Sequence, residues 1–126
     1  MILDSCFIID LLRGKSTAGE KMRELENSAE PIFITCISVF ELSQGAKRHE
    51  DIEALNSFFD SADILPLDRE SAAEAGAIFK GLKETGQIID AEDAMIAGIA
   101  LCRKQKVITR NLRHFSRIKK LAVESY

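Results

Sequence analysis

Residues 93–111 read DAMIAGIALCRKQKVITRN: one acid, nine residues with no polar side chain except the Cys102 thiol, two cations, and then an apolar run at Val107 and Ile108. A helix that is apolar all round has no face for water and must be buried. Arg103 and Lys104 fall where a helix C-terminus favours positive charge. The short β-branched run that follows is a strand. A buried helix feeding a short strand is the repeating unit of an α/β domain, in which helices cover both faces of a largely parallel sheet.

The same alternation extends in both directions. Strand-like runs occur at residues 1–3, 31–35, 64–67 and 106–109, with a weaker one at 122–124. Helical spacing lies between them: Phe7, Ile8, Leu11 and Leu12, ending at Gly14; Met22 and Leu25; Val39, Leu42 and Ala46; Ile52, Leu55, Phe58 and Phe59; and Ala72, Ala75, Phe79 and Leu82. Asp68 is placed to cap the last of these and Gly86 to end it. The expectation is one α/β domain over residues 1–126, with a central sheet of four to five short strands. A chain of 126 residues that is 46% hydrophobic can bury one substantial core.

Composition narrows the class. No run approaches the roughly 18 apolar residues of a membrane span, and the opening MILDS lacks a basic leader, so a soluble cytoplasmic protein is expected. Cys6, Cys36 and Cys102 are odd in number and widely spaced, which fits reduced thiols among apolar neighbours. His49 and His114 have no ligand spacing to each other, so a structural zinc site is not expected. Net charge is -3, yet residues 103–120 carry eight Lys and Arg and no acid. That stripe is either a solvated face or a rim for phosphate, with Arg110, Arg113 and His114 the nearest to the strand end.

Three acids stand among apolar residues: Asp4, Glu41 and Asp93. An ionised carboxylate there is costly unless it meets a donor, a cation or a metal. Each also has a local explanation. Asp4 can cap the first helix, Ser38 and Glu41 have capping-box spacing, and Asp90 and Asp93 can occupy the start of the buried helix. Asp10 sits three residues before Arg13, the spacing of a local ion pair. Ligands of parallel sheets bind beyond the carboxyl ends of the strands. Asp4, Glu41, Asp93 and Asn111 can all reach that edge, with Ser5 and Thr109 beside them.

The blocks ILDSCFIIDLLRG, ISVFELSQGA, IIDAEDAMIAGIAL and VITRNLRHFSRI resemble, in order and spacing, those of PIN-domain ribonucleases, and in particular the VapC-type toxins of type II toxin–antitoxin systems. The resemblance runs from Ile2 to about Val123. It implies an endoribonuclease using Mg²⁺ or Mn²⁺, with the family's acids on Asp4, Glu41 and Asp93 and its fourth position on Asn111, an amide where many members have a carboxylate. It implies hydrolysis to a 5′-phosphate and 3′-hydroxyl, a VapB-type antitoxin partner and a homodimer, for which Phe40, Phe58 and Phe59 are candidate apolar surface, though core packing accounts for them equally well. Other readings are a PIN ribonuclease of RNA processing or quality control without antitoxin, an inactive PIN-like binding module favoured by Asn111, and an aspartate-nucleophile phosphatase. Against the phosphatase, Cys6 stands where a second aspartate is needed.

Overall fold

The computed structural model describes residues 1–126. Its elements run β1 (Ile2–Leu3), α1 (Ser5–Leu12), α2 (Ser16–Glu26), β2 (Phe33–Thr35), α3 (Cys36–Gly45), α4 (His49–Ser61), β3 (Asp63–Leu65), α5 (Arg69–Glu84), α6 (Ala91–Cys102), β4 (Val107–Ile108), α7 (Leu112–Phe115) and β5 (Val123–Glu124). The strands form a single sheet in the order β3-β2-β1-β4-β5 with every pairing parallel. Ile2 is in register with Phe33 on one side and Val107 on the other. Because at least one helix separates each strand from the next, parallel pairing is the natural outcome. The strand order reverses at β1, so a crevice opens between the carboxyl ends of β1 and β4.

Strand side chains alternate between two cores. Met1, Leu3 and Ile108 pack with Phe7, Ile8, Leu42 and Leu55 on one face, while Ile2 and Val107 pack with Ile96, Ile99 and Phe115 on the other. Each of these fully buried aliphatic or aromatic side chains contributes about 1.5–3 kcal/mol relative to exposure. Helix α6 lies against α5 at very short range. A Cβ added at Gly98 would sit 2.4 Å from the Ser71 carbonyl oxygen and 2.8 Å from the Ala75 nitrogen. Only glycine lets the two backbones approach that closely.

Sequence and structure agree on the five strands and on the six longer helices, with ends shifted by one or two residues. Gly14 and Gly86 end α1 and α5 in the left-handed region, at φ 70° each, and Asp68 caps α5 by accepting from Ser71 N at 2.9 Å. The short helix α7 was not anticipated, since its four residues are too few to show a period. The capping box is a correction. Helix α3 begins two residues earlier than Ser38, and its N-cap is Thr35, whose hydroxyl accepts from Ser38 N at 3.0 Å. Glu41 therefore lies inside the helix and caps nothing.

Candidate active site

The crevice is built by the ends of β1 and β4. Asp4, 3% exposed, is the N-cap of α1, and its Oδ1 accepts from Ser5 N at 2.8 Å. Its Oδ2 accepts from Thr109 Oγ1 at 2.6 Å and from the Cys6 thiol at 3.0 Å. Burial and the Asp4 charge push that thiol's pKa up, which keeps Cys6 a neutral donor. Thr109 is itself fully buried and accepts from Asn111 N at 2.9 Å. Asn111 then turns its Nδ2 to Asp93 Oδ2 at 3.0 Å. One continuous chain of hydrogen bonds thus joins Asp4, Thr109, Asn111 and Asp93.

Glu41 enters from α3, half-buried. Its Oε2 is shut away from solvent with no hydrogen-bond partner. Burial pushes its carboxyl up to about 7, with like charge from Asp4, Asp93 and Glu92 adding to the rise and the Ser5 hydroxyl opposing it. Asp93 is also raised, first by burial and then by the Asp4 and Asp90 charges, against a lowering pull from His114. Repulsion among Asp4, Glu41 and Asp93 places them in one electrostatic neighbourhood.

By its position in the basic stripe, His114 is expected either to contact phosphate or to be solvated. The structure turns it inward instead, with Nδ1 2.5 Å from Asp93 Oδ2 and 3.7 Å from Asp90 Oδ2. Asp90, Asp93 and His114 form the group whose potential ligand atoms all lie within 4.8 Å of one another. The signal for His114 was its place three residues after Asn111, one helical turn on. Asp90 takes the N-cap position of α6 but makes no side-chain capping bond.

Half of the basic stripe, four of its eight residues, is engaged within the protein. Arg103 pairs with Asp68 at 2.7 Å, Lys106 with Glu124 at 2.9 Å, and Arg117 donates to the Ile88 carbonyl at 2.7 Å. Arg110 meets Asp10 at 2.7 Å. Asp10 does not pair with Arg13 as its spacing suggested, because α1 turns that carboxylate inward to Arg110, Lys15 and Tyr126.

The donor set suits a hard divalent cation. It consists of carboxylate oxygens and one amide, burial and like charge raise the pKa of two of the acids, and Glu41 keeps one buried oxygen without a partner. Asp93 Oδ1 keeps its lone pairs, since both hydrogen bonds of that carboxylate fall on Oδ2, whereas Asp4 already accepts on both oxygens.

The PIN domain family profile matches residues 1–121, and the chain belongs to that family. Within it the relatives are VapC ribonucleases. Ribonuclease VapC1 of Methanocaldococcus jannaschii is 27% identical over 100% of this chain and 86% of its own. The tRNA(fMet)-specific endonuclease VapC of Salmonella typhimurium is 30% identical, over 85% of each chain. A chain of the DNA-bound VapBC crystal structure from Salmonella typhimurium superposes with a TM-score of 0.84, is 27% identical, and is covered over 96% of its length by 98% of this one.

Proposed function

We propose that this protein is the endoribonuclease toxin of a VapBC-type pair, cutting RNA with Mg²⁺ or Mn²⁺ held by Asp4, Glu41 and Asp93 and with Asn111 completing the site. The observation that carries the reading is the half-buried Glu41 carboxylate, whose Oε2 is shut from solvent without a partner, in the repulsive field of two further acids at the strand switch point. When bound there, a divalent cation supplies Lewis-acid stabilisation of charge on the phosphoryl oxygens and acidifies a water.

The chain's own groups do the rest. Thr109, Cys6 and Ser5 fix the rotamer of Asp4, and Asn111 and His114 fix that of Asp93, so both carboxylates are held in place without reorganisation. Glu41 is held by its helix where burial and like charge raise its pKa to about 7, so positive charge arriving there would favour loss of its proton. No pair of imidazoles is needed, and His114 is committed to Asp93. Hydrolysis leaving a 5′-phosphate is what the resemblance to PIN-domain ribonucleases implies, and it requires no histidine base.

The VapC names of the relatives and the VapBC neighbour support an RNA substrate and a VapB-type antitoxin. A homodimer is supported by Phe40, 54% exposed on α3, whereas Phe58 and Phe59 pack on the core. No helix is long and apolar enough to cross a membrane. The test is to sequence RNA ends after induction of the wild type and of Asp4→Asn. New 5′-phosphate ends at defined sites, accompanied by growth arrest that a neighbouring antitoxin gene relieves, are expected for the wild type alone. Equal end profiles from both would overturn the assignment.

A further inference from the structure

Between Ile108, the last residue of β4, and Leu112, the first of α7, there are three residues, and each sends its side chain to a different aspartate. Thr109 reaches Asp4 at 2.6 Å, Arg110 reaches Asp10 at 2.7 Å, and Asn111 reaches Asp93 at 3.0 Å. Two of these aspartates belong to the proposed site. Asp10 does not, yet its side chain is only 3% exposed. A buried carboxylate is retained only where it is well compensated, and here it has a further cation and a phenol. Lys15 Nζ lies 2.8 Å from Oδ1, and Tyr126 donates its hydroxyl to Oδ2 at 3.0 Å. Tyr126 also sets its ring edge-on to Phe7, with centroids 4.6 Å apart, which ties the end of the chain to α1.

We propose that Asp10 is a positioning residue: by anchoring Arg110 it fixes the three-residue turn that delivers Thr109 to Asp4 and Asn111 to Asp93. The inference deepens the ribonuclease reading and rests on it for the importance of Asp4 and Asp93. Residues 109 and 111 are separated by one residue, and a turn that short cannot swing at its centre without rotating both neighbours. Arg110 is half-exposed, so without a fixed counter-charge its long side chain would sample many rotamers. Asp10 is rigid, being on the buried side of α1, six residues beyond Asp4 in the same helix unit. One helix therefore carries both an acid of the site and the anchor for the turn that orients it. Lys15 makes a useful contrast, since it neutralises the same carboxylate but lies outside the turn.

The experiment compares Asp10→Asn, Arg110→Met and Lys15→Met with wild type by three readouts: the Asn111 side-chain amide signals in ¹⁵N spectra, Mn²⁺ affinity by calorimetry, and kcat and KM on an RNA oligonucleotide. The Asn111 signals, assigned by their loss in Asn111→Asp, are expected to move toward free-amide positions in Asp10→Asn and Arg110→Met and to stay in place in Lys15→Met. Mn²⁺ affinity should fall about tenfold in the first two variants, with kcat lowered and KM changed by less than about threefold. Unmoved Asn111 signals in a folded Asp10→Asn protein would overturn the proposal. So would equal effects of Lys15→Met and Arg110→Met, or a rise in KM alone for Arg110→Met, which would make Arg110 an RNA contact. If Asp10→Asn does not fold, Arg110→Met carries the test, because half of that side chain is already in solvent. A wild type that neither binds Mn²⁺ nor cuts RNA refutes the ribonuclease reading, while the Asn111 signals still decide the positioning role.

Discussion

Thr109 Oγ1 donates to Asp4 Oδ2 at 2.6 Å, and this bond stitches the end of β4 to the end of β1 at the point where the strand order reverses. Both residues are buried, so neither has water as an alternative partner. Thr109→Val keeps the shape and removes the donor. A buried acceptor left short of a partner costs about 1–3 kcal/mol, and loss of a residue that orients a ligand lowers activity by about 10–100-fold. Thr109→Ser should restore most of both, as read by denaturant titration and cleavage rate.

Glu41 gives the apo protein a stability that falls as pH rises. Its carboxyl titrates near 4.5 in the unfolded chain and is pushed up to about 7 in the folded one, first by burial and then by neighbouring acids. Between those values the folded state holds the extra proton, so unfolding becomes easier with each step up in pH. The effect is complete above about 7 and absent below about 4.5. Urea denaturation without divalent cation should show this decline across pH 5–7, and Glu41→Gln should flatten it. Added Mn²⁺ should reverse it in the wild type.

Asn111 donates to Asp93, whereas an aspartate at that position would repel it. Asn111→Asp is therefore expected to lower apo stability and to raise divalent affinity by about tenfold, since it exchanges a neutral donor for a fourth carboxylate. Calorimetric titration with Mn²⁺, paired with thermal melting in EDTA, separates the two effects.

Gly98→Ala tests the contact between α5 and α6. Helix propensity alone favours alanine by about 1 kcal/mol, but the new Cβ would meet the Ser71 carbonyl at 2.4 Å. Overpacking of this kind costs about 1–3 kcal/mol. A lower urea midpoint is expected in spite of the better helix former.

The sheet was legible because its strands are short, β-branched and evenly spaced between amphipathic helices. The all-apolar stretch after Asp93 could only be a buried helix. Asp4 and Asn111 were legible because strand ends are readable and ligands gather beyond them. What did not show was direction. Asp10 and Arg13 have pairing distance along a helix, but the turn of α1 points Asp10 inward, and that depends on packing 100 residues away in sequence at Arg110. His114 was hidden for the same reason, since a four-residue helix has no period to announce which way its third residue faces. Ser38 and Glu41 matched a local pattern, but Thr35 captured the cap first because β2 runs straight into α3.

The most direct measurement is cleavage of RNA by the purified protein and by Asp4→Asn and Asp93→Asn, each with Mn²⁺ and with EDTA, alongside melting curves. Metal-dependent hydrolysis at the acidic site predicts that the wild type cuts with Mn²⁺ and stops with EDTA, and that both folded variants are inactive under either condition. RNA cleavage by the wild type in EDTA, surviving in both variants, would contradict it.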